Sequence, residues 1–215
     1  MCGRYTITIT DVADHLRAEQ GAFEFAPSYN IAPTQQVPIV RERADARVIT
    51  SAKWGLLPNW VKDPKAFKAS MFNARSESVA EKASFKGPLR HKRAIIPASG
   101  FYEWRRQGRT KTPHYIQLVN GEPIGFAGLY DLWKDELLSC TILTTAANET
   151  MAKLHDRMPV ILAPEDYDRW LDPEVTDPAE VQDLLKPYSG EMQAYPVSSA
   201  VNSPRNNGPE LLAAA

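Results

Sequence analysis

Short segments rich in β-branched and aromatic residues recur along most of this chain, and turn-forming residues separate them. Residues 5–10 alternate with a period of two, which is typical of a half-buried strand. Asn120 and Gly121 lie between two such segments and predict a tight hairpin. Strands do not alternate with long helices as they do in doubly wound folds. The pattern therefore predicts an α+β fold with mainly antiparallel pairing.

The predicted elements are short and cover most of the sequence. Strands are expected over residues 5–10, 36–41, 46–57, 94–104 with a break at Gly100, 114–119, 123–133, 137–145, 158–162 and 193–197. Helices are expected over residues 10–20, 76–83, 148–154, 164–171 and 178–185. Three prolines, Pro27, Pro33 and Pro38, predict a loop over residues 26–38. We expect one domain over residues 1–215, with a mainly antiparallel β-sheet, a barrel-like core and a few short flanking helices.

The composition excludes several classes of protein. A chain of 215 residues that is 43% hydrophobic and 24% charged is typical of a globular domain, not of a disordered or fibrous one. No apolar run approaches the roughly 20 residues that span a bilayer, and no leader precedes the first predicted strand. Two cysteines cannot form a disulfide framework. We therefore expect a monomer in the cytoplasm, associated with the nucleoid if the source is bacterial, and without a membrane partner.

The net charge of −1 conceals an uneven distribution along the chain. Residues 86–111 carry one acid, Glu103, against a series of bases: Lys86, Arg90, Lys92, Arg93, Arg105, Arg106, Arg109 and Lys111. Residues 165–191 are strongly acidic, with only Arg169 and Lys186 as bases. Such a chain can present a basic face to a polyanion while it stays neutral as a whole. On charge alone, two solvated faces of different sign remain the simpler interpretation.

The familiar cofactor motifs are missing from the sequence. It has no glycine-rich phosphate loop, no dinucleotide fingerprint and no nucleophile elbow. The four histidines share no metal-ligand spacing with each other or with either cysteine. We therefore predict no cofactor and no metal, and the chemistry has to come from side chains or from a chain terminus.

The first four residues, Met-Cys-Gly-Arg, are the sharpest chemical signal. Removal of Met1 is expected because the second residue is small, and it leaves Cys2 with an amine and a thiol on adjacent carbons. The amine, with an ordinary pKa of about 7.7–8.0, condenses with an aldehyde, and the thiol then closes a thiazolidine ring. The alternative is an inert, frayed terminus, which a strand beginning at Tyr5 disfavours. Cys140, in an apolar segment, is predicted to be a buried structural thiol.

Three more segments carry candidate site residues. Asn73 opens the run Asn-Ala-Arg-Ser-Glu, Glu103 lies among aromatic residues in the basic segment, and His155 stands at a predicted helix-to-strand junction. Each has an ordinary structural explanation. Asn73 can be a helix cap, Glu103 can pair with an arginine, and His155 can be a junction residue. Taken singly, each is better explained in this way.

Together with the opening cysteine, these segments resemble the SRAP family, the SOS response-associated peptidase domains that shield abasic sites in single-stranded DNA. The resemblance rests on motifs that occur in the same order along essentially the whole chain. They are the runs at residues 1–4 (MCGR), 29–33 (YNIAP), 54–56 (WGL), 73–77 (NARSE), 100–104 (GFYEW), 155–159 (HDRMP), 196–198 (PVS) and 207–211 (NGPEL).

The resemblance implies a reaction and a role for each candidate residue. The ring-opened sugar of an abasic site supplies an aldehyde, and Cys2 captures it as a thiazolidine cross-link between DNA and protein. Asn73 is implied to hold the terminal amine, and Glu103 to move protons between the amine and the sugar. His155 is implied to protonate the sugar ring oxygen and to help reverse the cross-link. The family name further implies self-processing peptidase activity and a lyase side activity.

The DNA contacts are also implied by the resemblance. Arg4 and Arg75 match phosphate-contacting positions, and Trp60 and Pro33 match positions that stack on or wedge between bases beside the lesion. The partner is single-stranded DNA that contains abasic sites. Val61 departs from the family pattern, since some members have a second aromatic residue there, and this implies reduced stacking.

Two other functions fit parts of the sequence. An N-terminal cysteine amidohydrolase, such as a glutaminase domain, also begins Met-Cys-Gly and uses the amine as a base. The remaining sequence does not resemble those domains, and the basic segment has no purpose in that interpretation. A non-catalytic nucleic-acid-binding module would use the basic face alone and would not depend on Cys2.

Overall fold

The computed structural model describes residues 2–8, 12–19, 25–43 and 46–215, and strands form most of its core. From the N-terminus the strands are β1 (Tyr5–Ile7), β2 (Ser28–Ile31), β3 (Gln36–Arg43), β4 (Ala46–Trp54), β5 (Asn73–Arg75), β6 (Arg93–Ala98) and β7 (Gly100–Gln107). They continue with β8 (Thr110–Leu118), β9 (Ile124–Trp133), β10 (Leu137–Ala146), β11 (Arg157–Pro159), β12 (Ile161–Leu162) and β13 (Met192–Pro196).

The helices are all short. The α-helices are α1 (Val12–His15), α2 (Ala83–His91), α3 (Glu149–Ala152) and α4 (Tyr167–Leu171). Short 3-10 helices cover Ser76–Ser78, Pro164–Asp166, Pro178–Leu184, Ser199–Asn202 and Pro209–Leu212. Within the described ranges, no helix has the length and apolar character needed to cross a bilayer.

Five strands close into a barrel. In the larger sheet the neighbours run β10-β4-β3-β6-β9, and β9 pairs again with β10, which completes the ring. The pairing of β10 with β4 is parallel, and the other four contacts of the ring are antiparallel. β5 adds to β10 in parallel, while β11 and β12 extend the sheet. This architecture confirms the predicted α+β class with a mainly antiparallel, barrel-like core.

A second sheet, in the order β13-β8-β7-β1-β2, carries the N-terminal strand between β2 and β7. The predicted single strand over residues 94–104 is in fact two strands in two different sheets, because the chain leaves the barrel at Ser99. Ser99 N–H donates to Thr6 O at 2.7 Å, which ties this crossing to β1. Gly100 follows at a point where an added Cβ would contact the Tyr115 hydroxyl and lie 2.6 Å from Ile116 O. The break predicted at Gly100 is therefore the passage between the two sheets.

The prediction of a loop over residues 26–38 is wrong for the two strands it contains, and it holds for residues 26–27 and 32–35. A four-residue strand, β2, lies between Pro27 and Pro33, and β3 runs through Pro38. The described pairing of β3 with β6 is confined to Val40 opposite Ile95, so the missing N–H of Pro38 is tolerated near the start of the strand.

Several helix predictions are wrong in type or extent. The helix expected over residues 76–83 is a single 3-10 turn, Ser76–Ser78, and α2 begins where that expected helix ends. The segment 178–185 is also a 3-10 helix, and 164–171 is divided into a 3-10 turn and α4. The expected ends of the first strand and first helix, at residues 9–11 and 20, lie outside the described residues. Strands β9, β10 and β13 lie close to their predicted positions.

The basic segment 86–111 does not form one surface. Arg93 is buried and its guanidinium donates to the backbone carbonyls of Leu89, Trp170 and Asp172. Lys92 pairs with Asp131 at 2.6 Å. The remaining positive charge is divided between α2 and the β7–β8 hairpin, which belongs to the other sheet.

The sheet crossing at Gly100 predicts a steric effect on stability. Gly100→Ala should lower the free energy of unfolding by about 1–3 kcal/mol, because backbone as well as a side chain blocks the added methyl group. Gly87→Ala is the matched control, since nothing lies within 4 Å of its added Cβ, and it should change stability by at most about 1 kcal/mol. Urea unfolding of both variants checks this, and equal effects would contradict the steric argument.

Candidate active site

Cys2 is completely buried at the start of the second sheet. The chain after it is held by β-pairing, since Tyr102 N–H donates to Arg4 O at 2.9 Å and Tyr5 lies opposite both Ile31 and Phe101. Burial raises the pKa of the Cys2 thiol far above its ordinary value, and the nearby carboxylate of Glu103 raises it further. The N-terminal segment is therefore part of the folded core, contrary to the alternative of a frayed terminus.

Asn73 contacts the cysteine directly. Its Nδ2 donates to Cys2 O at 2.7 Å. Its Oδ1 is buried and has no hydrogen-bond partner among the described residues. Asn73 is the first residue of β5 and pairs with Ile142 of β10, so it is not the helix cap that its sequence context also allowed. The barrel therefore supplies this contact to a residue of the other sheet.

Glu103 lies on β7 and is 5% exposed. Trp104 N–H donates to its Oε1 at 3.2 Å, and its negative charge contributes to the raised pKa of the Cys2 thiol. Glu103 also lines a cavity of about 430 Å³. The other lining residues are Trp104, Arg106, Lys111, His155 and Asn202. Two of the predicted acid–base residues, Glu103 and His155, thus share one cavity.

His155 follows α3, and its backbone N–H donates to Met151 O at 2.8 Å. The ring nitrogen Nδ1 accepts a hydrogen bond from Arg157 N–H at 3.0 Å and lies 2.7 Å from Asp156 Oδ1. The Arg157 N–H suits a lone pair on Nδ1 with the proton on Nε2, whereas the Asp156 carboxylate suits a proton on Nδ1, so these two contacts do not select one tautomer. The side chain is 30% exposed, so the ring combines a fixed orientation with access to solvent.

An ion pair links the segments that carry Asn73 and His155. Arg157 donates to both carboxylate oxygens of Glu77, at 2.5 and 2.9 Å, and to Thr144 O at 2.6 Å. The hydrogen bond from Arg157 holds the pKa of Glu77 below its ordinary value. Both residues lie within the sequence motifs, but the sequence alone assigned neither of them a role. The one sequence feature that could have indicated this pair is that Glu77 and Arg157 carry opposite charges and lie in two different motifs.

Arg4 is engaged within the protein. Its Nη1 donates to Asn30 Oδ1 at 2.8 Å and to Val201 O at 2.7 Å, and its Nη2 donates to Asn202 O at 3.2 Å. Asn202 in turn accepts from Trp104 Nε1 at 2.8 Å. These bonds hold the segment around Val201 and Asn202 beside the cavity. A phosphate contact by Arg4 remains a prediction, for which Nε and one Nη2 hydrogen are still available.

The other residues predicted to contact DNA are Arg75, Trp60 and Pro33, and they lie in different parts of the surface. Arg75 is exposed on β5, two residues after Asn73. Trp60 is 56% exposed, and its ring meets Phe67 edge-on with centroids 6.1 Å apart. Pro33 lines a separate cavity of about 240 Å³, and Phe67 lines it too. The structure places Asn73 in contact with Cys2 and puts Glu103 and His155 in one cavity, and Glu103 acts electrostatically on the Cys2 thiol. Trp60 and Pro33 do not line that cavity.

The segment that presents Trp60 is anchored on both sides. Asp131, which is buried, accepts from Asn59 N–H at 2.8 Å. Val61 is also buried, and its carbonyl accepts from Trp133 Nε1 at 2.7 Å. The residue that departs from the family pattern therefore faces inward, and Trp60 offers the exposed ring here. Across the described part of the chain, no group of three His, Cys, Asp or Glu residues is arranged to hold a metal.

Comparisons with known proteins show which chains this one is similar to. A family model described as SOS response associated peptidase (SRAP) matches residues 1–204. The abasic site processing protein YoqW of Bacillus subtilis (strain 168) is 45% identical over 222 residues and covers 99% of each chain. The abasic site processing protein HMCES of Xenopus tropicalis is 34% identical, over 100% of this chain and 78% of its own. A crystal structure of a protein from Bacteroides thetaiotaomicron matches all of both chains with a TM-score of 0.85 and 28% identity.

The Glu77–Arg157 pair predicts a pH-dependent contribution to stability. The pKa of Glu77 is lower in the folded chain than in the unfolded one, so its contribution is complete above the unfolded value of about 4.5 and is lost as the pH falls through the folded value. Glu77→Gln should therefore destabilise the protein at pH 7 by up to about 1 kcal/mol, since the carboxylate is half exposed. The difference from wild type should shrink below pH 4.

Urea unfolding at several pH values measures this effect. Glu81→Gln is the control, because Glu81 is exposed and forms no ion pair within the described ranges. A Glu77→Gln deficit that is the same at pH 3 and pH 7 would count against the ion pair as its cause.

Proposed function

The chain belongs to the SOS response associated peptidase (SRAP) family, and we propose that it captures abasic sites in single-stranded DNA through Cys2. Removal of Met1 frees the amine, and the product is a thiazolidine that joins the protein to the damaged sugar. The observation that carries this proposal is the burial of Cys2 in the fold, with Asn73 Nδ2 on its carbonyl and its thiol within the electrostatic influence of Glu103. Relatives named abasic site processing proteins support the choice of DNA lesion.

The reaction balances without any cofactor. The Cys2 amine attacks the aldehyde carbon of the ring-opened sugar, and loss of one water leaves a C=N bond. The thiol then adds across this bond: sulfur bonds to the carbon, and the proton that leaves sulfur is matched by a proton gained at nitrogen. The five-membered ring forms because amine and thiol stand on adjacent carbons.

Because the pKa of the Cys2 thiol is raised, the proposed reaction needs a base, and Glu103 is the proposed base. A buried thiol is neutral at physiological pH and is a poor nucleophile by itself. The amine therefore acts first, and a base has to take the thiol proton as sulfur attacks. Glu103 is the carboxylate that acts electrostatically on this thiol, and it can return the proton to nitrogen. The same transfers in reverse open the ring.

Asn73 and His155 complete the proposed machinery. The buried Asn73 Oδ1 offers an acceptor for an N–H of the freed amine, while Nδ2 already holds the Cys2 carbonyl. His155 shares the cavity with Glu103, and a proton on its Nε2 can be given to the sugar ring oxygen, which favours the open aldehyde.

The proposed DNA contacts lie outside the reacting groups. Arg75 is exposed beside Asn73 and offers a fork of donors to a phosphate. Arg4 has fewer donors left, because it also holds Asn30 and Val201. Trp60 offers an exposed ring for stacking, and Pro33 a rigid wedge. Peptidase activity on Met1 and lyase activity on the lesion are proposed as side activities of the same centre.

Replacement of Cys2 tests the covalent step. Wild-type protein should form an adduct with abasic single-stranded DNA that survives denaturing electrophoresis, and Cys2→Ser should form none beyond a reducible imine. Serine keeps the amine but has no sulfur to close the ring. Cys140→Ser is the matched control, since Cys140 is the other fully buried cysteine and lies in the barrel strand β10, and it should keep the adduct.

The mass of the intact product decides between the candidate functions. We expect one adduct per chain, on protein that has lost Met1. Full activity in protein that retains Met1 would overturn the proposal. Release of ammonia from glutamine, with no DNA adduct, would favour an amidohydrolase. Unchanged DNA binding in Cys2→Ala without any adduct in wild type would favour a non-catalytic binding module.

The acid–base assignment is tested separately. Glu103→Gln removes the proposed proton carrier at constant size, and His155→Ala removes the proposed acid. Each should slow adduct formation, reversal or both by about 10²–10⁴-fold. Rates from quenched time courses measure this, with Glu136→Gln, an exposed acid in the turn after β9, as the control. Unchanged rates in both site variants would remove the assignment but leave Cys2 as the nucleophile.

A further inference from the structure

Two positive side chains stand directly opposite each other at the mouth of the Glu103 cavity. Arg106 of β7 pairs in register with Lys111 of β8, near the turn of the hairpin. Like charges at directly opposed positions destabilise a two-stranded ribbon. Both residues also line the cavity that contains Glu103 and His155. The hairpin therefore carries an electrostatic cost at the edge of the proposed site.

Nothing in the described part of the chain neutralises this pair. Neither the Arg106 nor the Lys111 side chain forms an ion pair or a hydrogen bond with a described residue. Other arginines near a carboxylate are paired: Arg157 binds Glu77, and Arg47 binds Glu42. The cavity does contain a carboxylate, that of Glu103, but it is buried, and the proposed function gives it a separate task at the Cys2 thiol.

The neighbouring hairpin residues strengthen the positive field. Arg105 and Arg109 are exposed on the same hairpin. A cleft lined by one sign of charge attracts the opposite ion and raises its local concentration. Arginine offers a planar fork that matches a phosphate oxygen pair, whereas lysine supplies a mobile point charge. This combination suits a singly charged phosphodiester better than a neutral sugar or a base.

We propose that Arg106 and Lys111 form a subsite for a backbone phosphodiester next to the damaged sugar. The inference rests on the proposed function, since it takes the Glu103 cavity as the place where that sugar is processed. Arg106 and Lys111 line the same cavity as Glu103, so a phosphate attached to a sugar bound there meets a cationic wall. The subsite fixes the damaged nucleotide at the hairpin side of the cavity and holds its aldehyde for Cys2.

The effect is measured with Arg106→Gln, Lys111→Gln and the double variant. Each substitution should lower the second-order rate of adduct formation by about tenfold, as expected when one charge-assisted hydrogen bond is removed. The slope of log affinity against log salt should fall by about 0.7 for each phosphate that is no longer neutralised. Affinity for the abasic oligonucleotide is measured in a Cys2→Ser background, so it does not depend on the covalent step.

Arg109→Gln is the matched control, because it removes the same charge from the same hairpin without touching the cavity lining. It should change the rate by less than about twofold. An effect of Arg109→Gln equal to that of Arg106→Gln would overturn the subsite and leave only a general electrostatic field.

A neutral backbone gives an independent test. Oligonucleotides with a single methylphosphonate, either 5′ or 3′ of the lesion, separate this subsite from the phosphates proposed for Arg4 and Arg75. At one of the two positions, wild type should react about as slowly as normal DNA reacts with the double variant. The double variant should show no further decrease with the oligonucleotide modified at that position. Additive decreases at both positions would show that Arg106 and Lys111 bind elsewhere, and the proposal would fail.

A small neutral aldehyde, glyceraldehyde, separates this inference from the proposed function. Its capture by Cys2 should proceed equally in wild type and in the double variant, because it carries no phosphate. A lower rate in the double variant would mean a damaged site and would overturn the subsite. If wild type forms no DNA adduct while oligonucleotide affinity still depends on Arg106 and Lys111, the covalent function fails and the subsite stands.

Discussion

The pairing of β1 between β2 and β7 is the constraint on which the rest of the site depends. Three residues make up this strand, and packing reinforces its position, because the Tyr5 ring meets those of Trp54 and Phe126 at 5.1 and 6.0 Å. With Tyr5 held in this way, Cys2 has little freedom and lies in the core. A terminus held by backbone hydrogen bonds loses its conformational entropy during folding, so that cost does not fall on the reaction step.

The site is assembled at the boundary between the barrel and the second sheet. Asn73 and His155 belong to segments joined to the barrel strand β10, while Glu103 belongs to the other sheet and Cys2 directly precedes its strand β1. The chain crosses between the sheets at Ser99 and Gly100, close to β1. The Glu77–Arg157 pair then links the strand of Asn73 to the turn of His155. The relative position of the four residues is therefore set by packing between layers and not by any one local motif.

Burial decides which form of Cys2 chemistry is available. Many catalytic cysteines are activated by a lowered thiol pKa, next to a cation or a helix N-terminus. Here burial and a neighbouring carboxylate act in the opposite direction. A centre of this kind suits a reaction that begins at the amine and uses the thiol second, with a base to carry its proton. The proposed amine-first reaction is compatible with this direction of the thiol pKa, because it does not require a thiolate at the start.

The sequence by itself determined the α+β class and the barrel strands β9 and β10, because β-branched, apolar segments and an Asn-Gly turn are local signals. It also singled out Cys2, Asn73, Glu103 and His155, through motifs whose order along the chain is specific. It did not reveal β2, which two prolines conceal, nor the division of residues 94–104 between two sheets, nor the internal bonds of Arg4. Only the tertiary structure decided these three features, because each depends on which strand or backbone carbonyl from a distant part of the chain lies next to the segment. It also decided the direction of the thiol pKa, because burial and the approach of Glu103 arise from contacts between residues that are far apart in the sequence.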